Sequence, residues 1–185
     1  MRGRPGASVE SDERIRLFCA LLLPGETLDA LVAWQHAHLR GRIVPRANLH
    51  VTLAFLGSRP AAELPAVVAE LRAAAASAAA PLRLEVERYR ETRSVGMLVL
   101  ADGGGAATRL AGDLQARLER LGVYRREQRP WLPHLTVTRF RERPRLRPPL
   151  PPVGTLVPSD AAAYLSRLRP GGAEYEVLES VRLGG

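Results

Sequence analysis

The sequence predicts an α+β protein in which two lobes of antiparallel sheet and helix, related by a pseudo-twofold axis, share a central cleft. Three observations predict it. Strand-like and helix-like runs follow one another as strand, helix, strand, helix, strands, helix, strand, strands, so the second half loosely echoes the first. Each half carries one His-x-Thr motif beside an apolar run, HVTLAFLG from His50 and HLTVTRF from His134. With 185 residues the chain can build one substantial core, or two small lobes sharing one, but not several independent domains.

Residues 1–13, MRGRPGASVESDE, lack an apolar period and are expected to form a disordered leader before a single bilobal unit over 14–185. IRLFCALLL, closed by Pro24 and Gly25, reads as a buried strand. It is too short to span a bilayer, and the acidic residues Glu10, Asp12 and Glu13 before it do not suit a secretory signal. A helix follows from about Glu26 to Arg40, on the spacing of Leu28, Leu31, Val32, Gln35 and Leu39. The strand carrying His50 stops at Gly57, and Leu64, Val67, Val68 and Leu71 then form an apolar stripe on an alanine-rich helix. LRLEVERY alternates as a half-buried strand does, and MLVLA is a strand ended by the turn-forming run DGGG. A third helix runs from about Ala106 to Leu121 and stops at Gly122. The loop RREQRPWLP leads into the second His strand, and RPRLRPPLPP after it cannot join the interior of a sheet. AAYLSRL and YEVLESVRL supply two last strands.

A hydrophobic share of 46% with 25% charged residues fits a soluble globular protein, and 5% aromatics implies a core of Leu, Val and Ala. The single cysteine, Cys19, forbids an intramolecular disulfide and a Cys-based metal cage, which suits a reducing, cytoplasmic setting without membrane attachment. All 27 basic residues are Arg, and abundant Ala, Gly and Pro point to a GC-rich coding bias, so position says more than the net charge of +8. From Arg125 to Arg147 eight Arg stand against Glu127 and Glu142, a balance of +6 around the second motif that would draw a phosphate-bearing substrate. On charge alone, a solvated Arg-rich loop explains the run equally well.

Side chains alternate along a strand, so His50 and Thr52 share one face while Val51 and Leu53 take the other, and His134 and Thr136 are arranged alike. With 7 Thr in the chain, two of four His having Thr at i+2 is an accident of about one in a hundred. A lone strand histidine is more often structural, but two copies in matching contexts reverse that weighting. Two facing imidazoles suit in-line displacement at phosphorus, where a base serves the nucleophile and an acid the leaving oxygen. The threonines can donate to non-bridging oxygens, and a nearby Arg can offset transition-state charge. Neither a metal nor another cofactor is needed for this chemistry. No third ligand stands at a diagnostic metal spacing, and His36 and His38, two apart on a helix, point to different faces. A nucleophilic Ser or Cys lacks support, since Cys19 is in a strand and no Gly-x-Ser-x-Gly occurs.

These motifs, with RLFCALLLPGE, RANLHVTLAFLG, RPWLPHLTVTRF and SRLRPGGAEYEVL around them, resemble the two-histidine phosphoesterases, and within them the RNA 2′,3′-cyclic phosphodiesterases, also called 2′-5′ RNA ligases. The resemblance implies that His50 is the general acid for the departing 3′ oxygen, His134 the general base for water, and Thr52 and Thr136 the phosphate-binding hydroxyls. It also implies Arg139 at the phosphate and Phe55 lining a nucleotide pocket, although plain alternation puts both on the face opposite the histidines. The implied partner is RNA ending in a 2′,3′-cyclic phosphate, tRNA fragments included, handled by a monomer. Arg42 and Arg46, beside the first motif, are candidate RNA contacts or plain solvated arginines. ERYRETRSVG departs from the family pattern. Two alternatives stand: a two-histidine enzyme for a small cyclic nucleotide, an ADP-ribose cyclic phosphate or a 2′-5′ oligoadenylate, and a non-catalytic RNA-binding module.

Overall fold

Alternating and helical runs become β1 (Arg14–Leu22), α1 (Gly25–His38), β2 (Arg42–Ile43), β3 (Val51–Pro60), α2 (Leu64–Ala76), β4 (Leu84–Glu91), β5 (Val95–Ala101), α3 (Ala106–Arg120), β6 (His134–Arg139), β7 (Thr155–Leu156), β8 (Asp160–Arg169) and β9 (Gly172–Arg182). The computed structural model describes residues 13–79 and 81–184, so the expected leader lies, Glu13 apart, outside the described residues. His50 stands one residue ahead of β3 rather than within it. Residues 144–152, rich in proline, carry no strand, and their backbone crosses α1, where the Trp34 indole donates to the Pro149 carbonyl (2.8 Å).

All strands join one antiparallel sheet in the order β7-β4-β5-β6-β3-β1-β8-β9, with β2 beside β6. The two expected lobes are therefore halves of a continuous, curled sheet. One half is β4-β5-β6 and the other β3-β1-β8, and they meet where Val51 of β3 faces Leu135 of β6. Each half contains a strand-helix-strand unit ending in a motif strand, β1-α1-β3 and β5-α3-β6.

Alternation divides the burial between two faces. Cys19, Leu21, Val51, Leu53, Leu98, Leu135 and Val137 join the helix residues Leu31, Leu71 and Leu114 in the main core. Phe18, Ala20, Ala162 and Tyr164 form a smaller cluster on the other face. Full burial pushes the Cys19 thiol up to about 12, so it is an inert core residue.

Among the irregularities of the sheet, each motif strand has a β-bulge that breaks the alternation one residue past its threonine. Ala20 faces Thr52 and Cys19 faces Ala54, which leaves Leu53 as the extra residue of β3. Met97 faces Thr136 and Gly96 faces Thr138, which leaves Val137 as the extra residue of β6. Gly96 is required beside that second bulge, because a Cβ there would stand 2.6 Å from the Thr138 methyl group.

Candidate active site

The pairing of Val51 with Leu135 sets His50 and His134 on adjacent strands at the middle of the sheet. They open, with Thr52 and Thr136, onto a cleft of about 700 Å³. Phe55 and Arg139 line the same cleft, which corrects the expectation from alternation. Each lies five residues beyond its histidine, and the extra residue in between, Leu53 or Val137, returns it to the cleft face.

Both imidazoles are held in the same way. His50 Nδ1–H donates to the Asn48 carbonyl and His134 Nδ1–H to the Leu132 carbonyl, each at 2.8 Å. In the neutral rings this leaves Nε2 without a hydrogen, free to take or, once protonated, to give a proton. On the first motif the Thr52 hydroxyl lies 3.1 Å from that nitrogen and donates to it.

Their surroundings differ. The His50 ring packs against Phe18 (4.8 Å between centroids), Tyr175 (5.3 Å, edge-on) and Tyr164 (5.7 Å), and Phe18 itself stacks on Tyr164. These rings come from β1, β8 and β9; Phe18 and Tyr175 line the cleft, and the buried Tyr164 backs them. Desolvation among them lowers the His50 pKa to about 4, the Asn48 hydrogen bond opposes the fall, and the positive charges of His134 and Arg139 add to it.

The cleft wall brings in residues that alternation and motif reasoning did not single out. The Arg16 guanidinium lies over the Phe55 ring, 4.7 Å from its centroid. Asn48 holds His50 with its carbonyl and the start of β9 with its amide, which donates to the Ala173 carbonyl at 2.7 Å. Behind the wall, packed against the core, the Trp131 indole reaches from the basic loop to the Thr52 carbonyl (2.9 Å). Arg16 and Phe18 stand two apart on β1 and so share its cleft face; the pairing that brings them beside His50 is long-range.

Arg42 lines the cleft and donates to the Gly171 carbonyl across it (3.1 Å). Arg46 does not join the cleft. Its Nε is 2.6 Å from Asp29 Oδ1 and its Nη2 donates to the Gly25 carbonyl, because the short turn Arg46–Asn48 aims it at the start of α1. The divergent ERYRETRSVG segment also stays out of the cleft lining. There the buried Glu91 carboxylate accepts hydrogen bonds from the backbone of Arg145 and Leu146 and from the Arg143 side chain, pinning the proline-rich connection. His36 and His38 are exposed at the end of α1. Among the described residues no group of three or more His, Cys, Asp or Glu could hold a metal ion, and no helix is long and apolar enough to cross a membrane.

Comparison with known proteins accords with this geometry. The family model described as the 2′-5′ RNA ligase superfamily matches residues 24–169. A Thermus thermophilus protein named RNA 2′,3′-cyclic phosphodiesterase is 35% identical, over 92% of this chain and 91% of its own. The crystal structure of TT0787 of Thermus thermophilus superposes with a TM-score of 0.79 at 33% identity, covering 92% of this chain and 99% of that one. Escherichia coli LigT complexed with 3′-AMP gives 0.76 at 25% identity, covering 94% and 100%.

Proposed function

The chain belongs to the 2′-5′ RNA ligase superfamily, and from that membership we propose that it hydrolyses 2′,3′-cyclic phosphate ends of RNA to 2′-phosphomonoesters by two-histidine acid–base catalysis. One observation carries the assignment of residues: two imidazoles on neighbouring strands, each oriented by a carbonyl two residues upstream, open onto one cleft with two threonines and an arginine.

In this reading His134 Nε2 takes a proton from water as the water oxygen bonds to phosphorus. The P–O3′ bond breaks, His50 Nε2–H protonates the departing 3′ oxygen, and the phosphate stays on O2′. Each proton transfer contributes about 10²- to 10⁴-fold. The Thr52 and Thr136 hydroxyls donate to the non-bridging oxygens and Arg139 offsets the charge gained in the transition state. Phe55, with Arg16 on one side of its ring, is the wall for the nucleotide. Arg42 is a further phosphate contact, whereas Arg46 is committed to Asp29. An RNA 5′-hydroxyl in place of water would give a 2′-5′ linkage by the same steps. One chain carries both histidines, so a monomer suffices.

His50 is neutral in the free protein at neutral pH because its aromatic surroundings penalise charge. A bound phosphate places a negative charge beside His50 that favours its protonated form against that penalty, so the acid acquires its proton with the substrate. The Arg-rich segment around the second motif favours a polymer over a small cyclic nucleotide, since each added phosphate contact rewards a longer chain.

The test is phosphorus NMR of a short RNA ending in a 2′,3′-cyclic phosphate, with the protein in excess EDTA and His50→Ala and His134→Ala beside it. We expect 2′-phosphate as sole product, lost in both variants. A 3′-phosphate product, or turnover that survives either substitution, would overturn the reading; turnover of nucleoside cyclic phosphates but not RNA would move it to a small substrate.

A further inference from the structure

We propose that two buried glutamines, Gln35 and Gln115, are positioning residues that hold the two bulges and thereby aim Arg139 and Phe55 into the cleft. Both lie on buried helical faces, Gln35 fully buried and Gln115 8% exposed, where Leu or Met would fill the space without a polar group to satisfy. Gln35 Nε2 donates to the carbonyl of Val137 at 2.7 Å and to that of Val44 at 3.1 Å. Gln115 Nε2 donates to the carbonyl of Leu53 at 2.8 Å. Val137 and Leu53 are the two extra residues of the bulges. The same side chain therefore meets the same backbone defect in both halves of the molecule.

The connection crosses between halves. α1 leads to β3 yet its Gln35 holds the bulge of β6, and α3 leads to β6 yet its Gln115 holds the bulge of β3. A bulge carbonyl has left the ladder register and, when buried, needs a donor. Supplied with one, the bulge is the stable form. Deprived of one, it gains by relaxing toward the unbulged register, which turns the residue at His+5 to the opposite face. For β6 that residue is Arg139 and for β3 it is Phe55. The two sides are not equally dependent, because the Val137 carbonyl also accepts the Val44 backbone N–H (3.1 Å).

The consequence rests on the roles proposed for Arg139 at the phosphate and Phe55 at the nucleotide, and it separates the glutamines kinetically. Gln35→Met is expected to lower kcat about tenfold with KM within about twofold, as Arg139 loses its aim in the transition state. Gln115→Met is expected to raise KM about tenfold with kcat nearly kept. A double-mutant cycle decides whether each acts through its partner. Gln35→Met added to Arg139→Ala should cost no more than Arg139→Ala alone, and Gln115→Met added to Phe55→Ala no more than Phe55→Ala, whereas the crossed pairs should multiply. Gln→Asn at each site, which keeps the amide but draws it back by one methylene, replaces any Met variant that does not fold and should show the same split, weaker.

Folded variants with wild-type kcat and KM, or defects that multiply within the matched pairs, would overturn the proposal. A readout free of turnover separates this from failure of the proposed reaction. In nitrogen-resolved NMR with inorganic phosphate as probe, the Arg139 Nε–H signal should shift in Gln115→Met as in wild type and lose most of that shift in Gln35→Met. An equal shift in both variants would overturn the role of Gln35 whatever the enzyme hydrolyses.

Discussion

His50 and His134 hang from carbonyls two residues upstream at the same distance, precede a threonine at the same spacing, and stand before a bulge at the same offset. Around the rings the likeness ends. The first imidazole is enclosed by Phe18, Tyr164 and Tyr175 and takes a hydrogen bond from Thr52; among the described residues, the aromatic contacts of the cleft are all on that side. A pseudo-symmetric backbone thus makes two equivalent mounts, and the side chains packed on each make the mounted groups inequivalent. An in-line displacement needs one nitrogen with a proton and the other without, and because the enclosure disfavours charge on His50, the acid role proposed for it requires the negative charge that a phosphate substrate brings.

The largest test of that difference is removal of each ring with a leaving group that needs no acid. His50→Ala and His134→Ala should each lose about 10³-fold or more in kcat on ordinary RNA. With sulfur in place of the 3′ bridging oxygen, His50→Ala should recover most of its loss while His134→Ala recovers none. Recovery in His134→Ala instead would exchange the two roles. Next in size is Arg139→Ala, expected to lower kcat about 10²-fold, as removal of a charge-stabilising group in a closed site does; steady-state kinetics with KM nearly unchanged would place Arg139 at the transition state.

Opening the cage comes third. Tyr175→Ala admits water beside His50, so its pKa should climb from about 4 toward 6.5, read from the imidazole proton shifts in NMR. The same depression bears on stability. The unfolded chain binds the His50 proton near 6.5 and the folded one near 4, so between these values the unfolded state holds more protons. The contribution of neutral His50 is therefore complete above pH 6.5 and is lost as pH falls toward 4, by up to about 3 kcal/mol, less in proportion to the water that reaches the ring from the cleft. Urea titrations should show a smaller pH dependence in Tyr175→Ala. The smallest effect belongs to Arg46→Ala, which removes an exposed ion pair with Asp29. It should leave kcat/KM within about twofold and cost no more than about 1 kcal/mol.

What could be read from the chain is local or periodic. The apolar run of β1, alternation in β4 and β6, the helical stripe that already included Gln35, the burial of Cys19 and the exclusion of the proline-rich run from the sheet all follow from neighbours in sequence. The bulges could not be read so, because Leu53 and Val137 are ordinary strand residues and the irregularity exists only against β1 and β5. Plain alternation consequently puts Phe55 and Arg139 on the face opposite the histidines, whereas in the structure both line the cleft. Strands of two residues, β2 and β7, show no period. The aromatic enclosure of His50 depends on Phe18 meeting Tyr164, and the fate of Arg46 on Asp29, partners that only folding brings together.

β1 is sandwiched between β3, early in the chain, and β8, near its end. A ribosome building the chain from its N-terminus makes both motifs before it makes Tyr164 and Tyr175. Until then β1 lacks one neighbour and His50 two of its three rings, so the exposed edge is an opening for wrong pairing. The enclosure of His50 is completed only near the end of synthesis, and a chain cut short before β8 has both histidines but not the surroundings that distinguish them.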